Sequence, residues 1–142
     1  MHISSLNWLA IVGATLAAFV AGALWFNPKT FFPLWWAAMG RTAGEDPGKG
    51  QNMAVVFGST FGAALVQAIT VALVCQLAAA SNPSFSTLDG TQVGLLLGVG
   101  LAAASSLSHR LFGGFSFQVW ALEVGSDALN LAIMGTILGT WR

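Results

Sequence analysis

Glu123, Asp127 and Asn130 have the most chemistry to offer in this chain, because they recur at i, i+4 and i+7 inside an otherwise apolar run. On an α-helix that spacing puts all three on one face, within about 60° of each other. If the run crosses a membrane, an acidic residue at its centre costs about 2.5–3.5 kcal/mol on insertion scales. Both acids then need a partner, a proton or water. Folding the chain back at Gly113-Gly114 brings Arg110 near Glu123, within reach of its long stem. Asp127 falls deeper, near the level of Gln67, whose amide can hydrogen-bond it. His109, next to Arg110, is of the residue type that relays protons.

Two readings follow. In the functional one, Glu123, Asp127, His109 and Gln67 build a proton or cation pathway, or a polar ligand pocket. In the structural one, an Arg110–Glu123 pair and an Asp127–Gln67 hydrogen bond fix the register of the helices. Two acids and one histidine fall short of a metal site, so no metal is expected. No serine elbow, thiolate–histidine pair or Gly-rich phosphate loop after a strand is present, and the sequence specifies no cofactor. The expectation is a protein without catalysis. Cys75, the single cysteine, sits in an apolar run and reads as a small buried hydrophobe.

The elements that position these residues follow from composition. Of 142 residues, 56% are hydrophobic and only 7% charged, with mean hydropathy +0.75. Soluble domains carry about 25% charged residues, which they need to wet their surface. This chain has too few, so lipid is the expected surrounding. Five basic and five acidic residues give zero net charge, which leaves no footprint for nucleic acid.

Spanning the hydrocarbon core takes about 20 apolar residues as a helix. Four runs qualify, over 6–26, 53–80, 91–111 and 117–141. None alternates as a barrel strand must, and backbone groups in lipid have to bond internally, so helices are predicted. Asn27-Pro28 ends the first run, because proline lacks an amide hydrogen and restricts its predecessor. The polar stretch 41–52 is a solvated loop. Between them the aromatic segment around Trp35 and Trp36 suits the headgroup region, and Trp25 and Trp141 join it as interfacial anchors. Ala21-Gly22-Ala23 resembles a signal-peptide cleavage site. The absence of Lys or Arg before the first run, and that run's length, favour a retained span. The predicted fold is all-α: one membrane domain over 1–142, a four-helix transmembrane bundle with a short interfacial segment after the first helix.

In lipid, helices are held by close approach at small residues rather than by hiding apolar surface. Gly58 and Gly62, Gly94 and Gly98, Gly135 and Gly139, and Ala14 and Ala18 all have the four-residue spacing. Gly94, Gly98, Ala102, Ser105 and His109 extend one stripe along the third helix, the predicted seam for the fourth. Gly135 and Gly139 point away from the Glu123 face, so the fourth helix is expected to be contacted on two sides. Lys29, Arg41, Lys49 and Arg110 lie in connections on one side and Arg142 alone on the other. The positive-inside rule then puts both termini outside the cytoplasm.

Leu6-Asn7-Trp8-Leu9-Ala10 and Gly22-Ala23-Leu24-Trp25-Phe26-Asn27-Pro28 open the chain. Leu111-Phe112-Gly113-Gly114 and Ile133-Met134-Gly135-Thr136-Ile137-Leu138-Gly139-Thr140-Trp141 close it. Together they resemble the small bacterial membrane proteins of domain-of-unknown-function family 1761. The resemblance covers nearly the whole chain and implies a four-helix protein of the inner membrane, with no assigned activity. It also implies Asn at Glu123 and a Tyr-His pair at Ser126 and Asp127, where this sequence departs. The sequence thus favours an accessory or scaffold protein that forms homo-oligomers or packs into a larger membrane complex. A small oligomeric permease or proton- or cation-coupled channel stands second, and a polar-ligand or lipid-binding protein third.

Overall fold

Each long helix begins at a side chain able to satisfy its first free amides. In the computed structural model, which describes residues 3–142, a short 3-10 turn over Ile3–Ser5 precedes α1 (Trp8–Trp25). Asn7 caps α1 by accepting from the Ala10 amide at 3.1 Å. At the other end, the Thr30 hydroxyl donates to the carbonyls of Leu24 and Trp25, both at 2.6 Å, and closes the helix ahead of α2 (Phe32–Ala38). Asn52 caps α3 (Met53–Ser81) through the amides of Ala54 and Val55.

The third span starts earlier than the apolar run suggests. Ser86 and Asp89 form a capping box, so α4 (Thr87–Leu97) begins four residues before Thr91. It continues through a widened π turn over Gly98–Ala103 into α5 (Ala104–Phe112). Gly114, at φ +81°, makes the turn that follows, a backbone state that glycine adopts without penalty. Ser116 then caps α6 (Phe117–Thr140). The four segments Trp8–Trp25, Met53–Ser81, Thr87–Phe112 and Phe117–Thr140 are each long and apolar enough to cross a membrane. The fold is the expected all-helical bundle, and the chain is a membrane protein by this architecture.

α6 is the central helix, touching α1, α2, α3 and α4. Against α4 the approach is backbone to backbone. A Cβ on Gly94 would overlap the Leu131 carbonyl, and one on Gly135 the Gly90 carbonyl. One on Gly98 would sit 2.9 Å from Ala128 Cα, and one on Gly139 2.9 Å from Gly90 Cα. Hydroxyl pairs Thr91–Thr136 (2.8 Å) and Thr87–Thr140 (2.9 Å) line the same seam. Gly94, Gly98, Gly135 and Gly139 therefore meet as the spacing predicts, with Gly90 as an added member. Gly58 and Gly62 do not: the space before each is open. With Val55 and Val66 they form the outer face of α3.

α1 and α3 pack on α6 through alanines. Ala10, Ala14 and Ala18 of α1 and Ala68 and Ala72 of α3 are buried, with Cys75, Met134 and Leu138 beside them. This contact covers only the C-terminal half of α3, whose buried residues begin at Ala68. The first half of α3 stands off from α6 and touches α1 at Phe61, against Phe19. The chain ends meet at one end of the bundle, where Gln76 bonds Ser5 at 2.8 Å and Arg142 donates to the Phe85 carbonyl at 3.0 Å.

Candidate functional site

The polar face of α6 is divided between two environments. Glu123 faces α5 and α2. One carboxylate oxygen takes Arg110 Nε at 2.7 Å, and the other accepts from Trp35 Nε1 at 3.2 Å. The Glu123 side chain is 18% exposed and that of Arg110 43%, so the pair sits at the rim of the bundle. This is the ion pair foreseen from depth and stem length. Trp35 is the partner that the sequence did not disclose, and it ties the aromatic segment α2 to α6.

Three other tryptophans are also tied down by hydrogen bonds. Trp25 Nε1 donates to the Leu122 carbonyl at 3.0 Å, its ring lying on Gly125, where a Cβ would come within 2.9 Å. Trp36 Nε1 donates to the Thr42 carbonyl at 2.9 Å, with Arg41 over its ring. Trp120 bonds the Ala103 carbonyl at 3.1 Å and Ser106 at 3.2 Å, where the widened turn ends. Trp141 is half exposed at the opposite end, 3.8 Å from the position of a Cβ on Gly13.

Asp127 and Asn130, one and two turns further along the same face, line a cleft of about 550 Å³ between α1 and the standing-off half of α3. Its floor is α6, and its walls include Phe19, Phe26, Phe57 and Gln67. Phe19 and Phe61 touch edge to face at 5.6 Å beside it. Gln67 reaches the same cavity as Asp127, at the depth the sequence indicated. The expected hydrogen bond between them is not formed, because the cavity lies between α3 and α6 at that level. Among the described residues neither side chain makes a hydrogen bond or ion pair. Asn130 Oδ1 is buried and likewise has no partner, while its Nδ2 is 3.3 Å from where Gly22 would carry a Cβ. Ser126, 3% exposed, completes the polar floor.

His109 joins neither group and is exposed on α5. The stripe from Gly94 to His109 assumes a regular helix. A π turn accommodates extra residue per turn, so positions beyond it rotate away from the face that carried Gly94 and Gly98. Among the described residues no three His, Cys, Asp or Glu side chains gather as metal ligands would.

The arrangement thus separates a satisfied ion pair at the rim from a set of polar side chains around the cleft at mid-helix. The former fixes α2, α5 and α6; the latter has binding capacity to spare. The chain belongs to the family described as protein of unknown function, DUF1761, whose model matches residues 9–139. No curated protein and no solved structure matches it.

Proposed function

We propose that this member of the family is a non-catalytic membrane protein that holds a small amphipathic molecule in the cleft between α1 and α3. The observation that carries this reading is the set of Asp127, Gln67 and Asn130 Oδ1, without partners among the described residues, around a cavity of about 550 Å³. Ligand sites are typically of about 300–1,000 Å³, mostly apolar, with a few convergent polar groups. Unpaired polar groups in hydrocarbon destabilise a bundle, so their retention is better explained by binding than by packing. The permease reading is less well supported, since Glu123 is engaged by Arg110 and His109 lies outside the cleft, leaving Asp127 without a second titrating group in line.

A second reading, an accessory protein that self-associates, is favoured by one feature. The outer face of α3 carries Gly58 and Gly62 with nothing against them, and small residues at this spacing admit close helix approach in lipid. The charge bias supports α2 and the 41–52 loop on the cytoplasmic side, and the family membership supports a bacterial inner membrane setting.

Native mass spectrometry of the protein released from membranes in mild detergent tests both readings. The expected result is a small molecule retained at one per chain, and lost when Ala63→Phe fills the cleft. Wild-type and filled protein carrying the same adducts would overturn the binding reading. A monomer mass throughout would remove the self-association reading.

A further inference from the structure

The cleft has a chemical sign. Of the residues lining it, only Asp127 carries a formal charge, and no Lys, Arg or His is among them. Arg110, about one helical turn away along α6, is already engaged by Glu123 at 2.7 Å. Asn130 Oδ1 adds a buried, unpartnered acceptor about one helical turn on. Thr60, Gln67, Ser126 and Asn130 contribute neutral polar groups, so the one formal charge an occupant meets is negative. The walls add three aromatic rings, Phe19, Phe26 and Phe57, whose faces attract cations. An anion would face Asp127 with no counter-charge, and a neutral apolar molecule would leave both acceptors unmatched in a desolvated site. A bare metal cation would find too few oxygen ligands.

We propose that the cleft selects a protonated amine carried on an apolar body, the ammonium N–H groups donating to the Asp127 carboxylate and to Asn130 Oδ1. This rests on the binding reading above and names its ligand class. Asp127 is the eleventh of 24 residues in α6, so the ammonium sits near mid-helix and the apolar body must accompany it into the hydrocarbon. Two sources share this chemistry, a free lipophilic amine and the headgroup of an amine-bearing lipid.

The test uses the full-length protein in phosphatidylcholine nanodiscs and three probes with one apolar body: 1-adamantylamine, 1-adamantanol and 1-adamantanecarboxylate. Binding is read against empty discs. The amine should bind saturably at one per chain, the alcohol about tenfold or more weaker, and the carboxylate not at all, as expected for loss of a charge-assisted hydrogen bond. Asp127→Asn should weaken amine binding about tenfold or more, and Asn130→Ala should weaken it in the same direction, which guards against misfolding of either variant. Glu123→Gln should bind the amine as wild type does. Replacing part of the phosphatidylcholine by phosphatidylethanolamine identifies the source: competition points to the lipid headgroup, and unchanged binding to a free amine. Alcohol binding as tight as amine binding would overturn the ammonium assignment while leaving the cleft reading standing. So would wild-type affinity in both Asp127→Asn and Asn130→Ala, or a loss in Glu123→Gln equal to that in Asp127→Asn. Failure of all three probes to bind would overturn both.

Discussion

The two sides of α6 are built on opposite plans. Toward α4 the helix gives up side chains altogether: Gly90 and Gly94 meet Gly135, Gly139 and the Leu131 carbonyl, with backbone touching backbone. Toward α1 and the first half of α3 it presents Ser126, Asp127 and Asn130 to a cavity that none of the described residues fills. Helices in lipid gain no solvent-driven stabilisation from association, so van der Waals contact and hydrogen bonds hold them. The seam maximises the first of these. The cleft forgoes both. A bundle this small can carry such a defect only because the seam, the alanine contact with α1 and the Glu123–Arg110 pair secure α6 elsewhere.

The sharpest way to break this contrast is to add bulk on each side. Gly135→Val should force α4 and α6 apart and cost about 3 kcal/mol or more, because its carbonyl neighbour is backbone and cannot swing away. Gly58→Ala and Gly62→Ala, with open space before them, should cost nothing and can gain up to about 1 kcal/mol from helix propensity. Equilibrium unfolding in mixed micelles reads both; equal losses at Gly135 and Gly58 would dissolve the distinction.

Next in size is the rim pair. Arg110→Ala leaves Glu123 without its cation and should cost about 1–2 kcal/mol, held down by the exposure of Arg110. Adding Glu123→Gln to the same protein should recover part of that loss in a double-mutant cycle. Trp120→Phe, which removes the bond to the Ala103 carbonyl, should cost about 1 kcal/mol and loosen the π turn, seen as faster amide exchange over 98–106.

The smallest effect belongs to the exposed loop. The Thr42 amide and then the Arg41 guanidinium hold the Glu45 carboxyl below its ordinary range. A lowered folded-state value means that its contribution is present above the ordinary carboxylate range and is lost as pH falls through the lowered one. Glu45→Gln should therefore flatten acid loosening of the loop, measured by exchange of the Thr42 amide, without changing the unfolding midpoint.

Much of this architecture is legible in the residues, because depth along a helix is additive. Counting from Gly113-Gly114 pairs Arg110 with Glu123, and a place halfway along its own span puts Gln67 level with Asp127. What counting does not supply is lateral distance. Gln67 and Asp127 share a level but are separated by a cavity whose width depends on how α3 leans, and that lean follows from where its alanines begin to pack. The failure at His109 has a different cause: helical phase is carried forward only while every turn is regular, and the π turn at Gly98–Ala103 resets it. Trp35 was readable as interfacial from its neighbours, yet its bond to Glu123 depends on how α2 folds back, which no local pattern in the sequence encodes. The early start of α4 is encoded in the Ser86–Asp89 capping box, a signal that hydropathy does not carry because both residues are polar.

The central claim is that the polar floor of the cleft exists for something other than holding the bundle together. The unfolding free energy of Asp127→Asn, measured beside wild type in ligand-free mixed micelles, tests it most directly. The account predicts a value equal to or above wild type, since an unpaired acid facing an empty cavity contributes no stabilising contact. A loss of about 1 kcal/mol or more, the worth of a native hydrogen bond, would contradict it and return Asp127 to the framework of the fold.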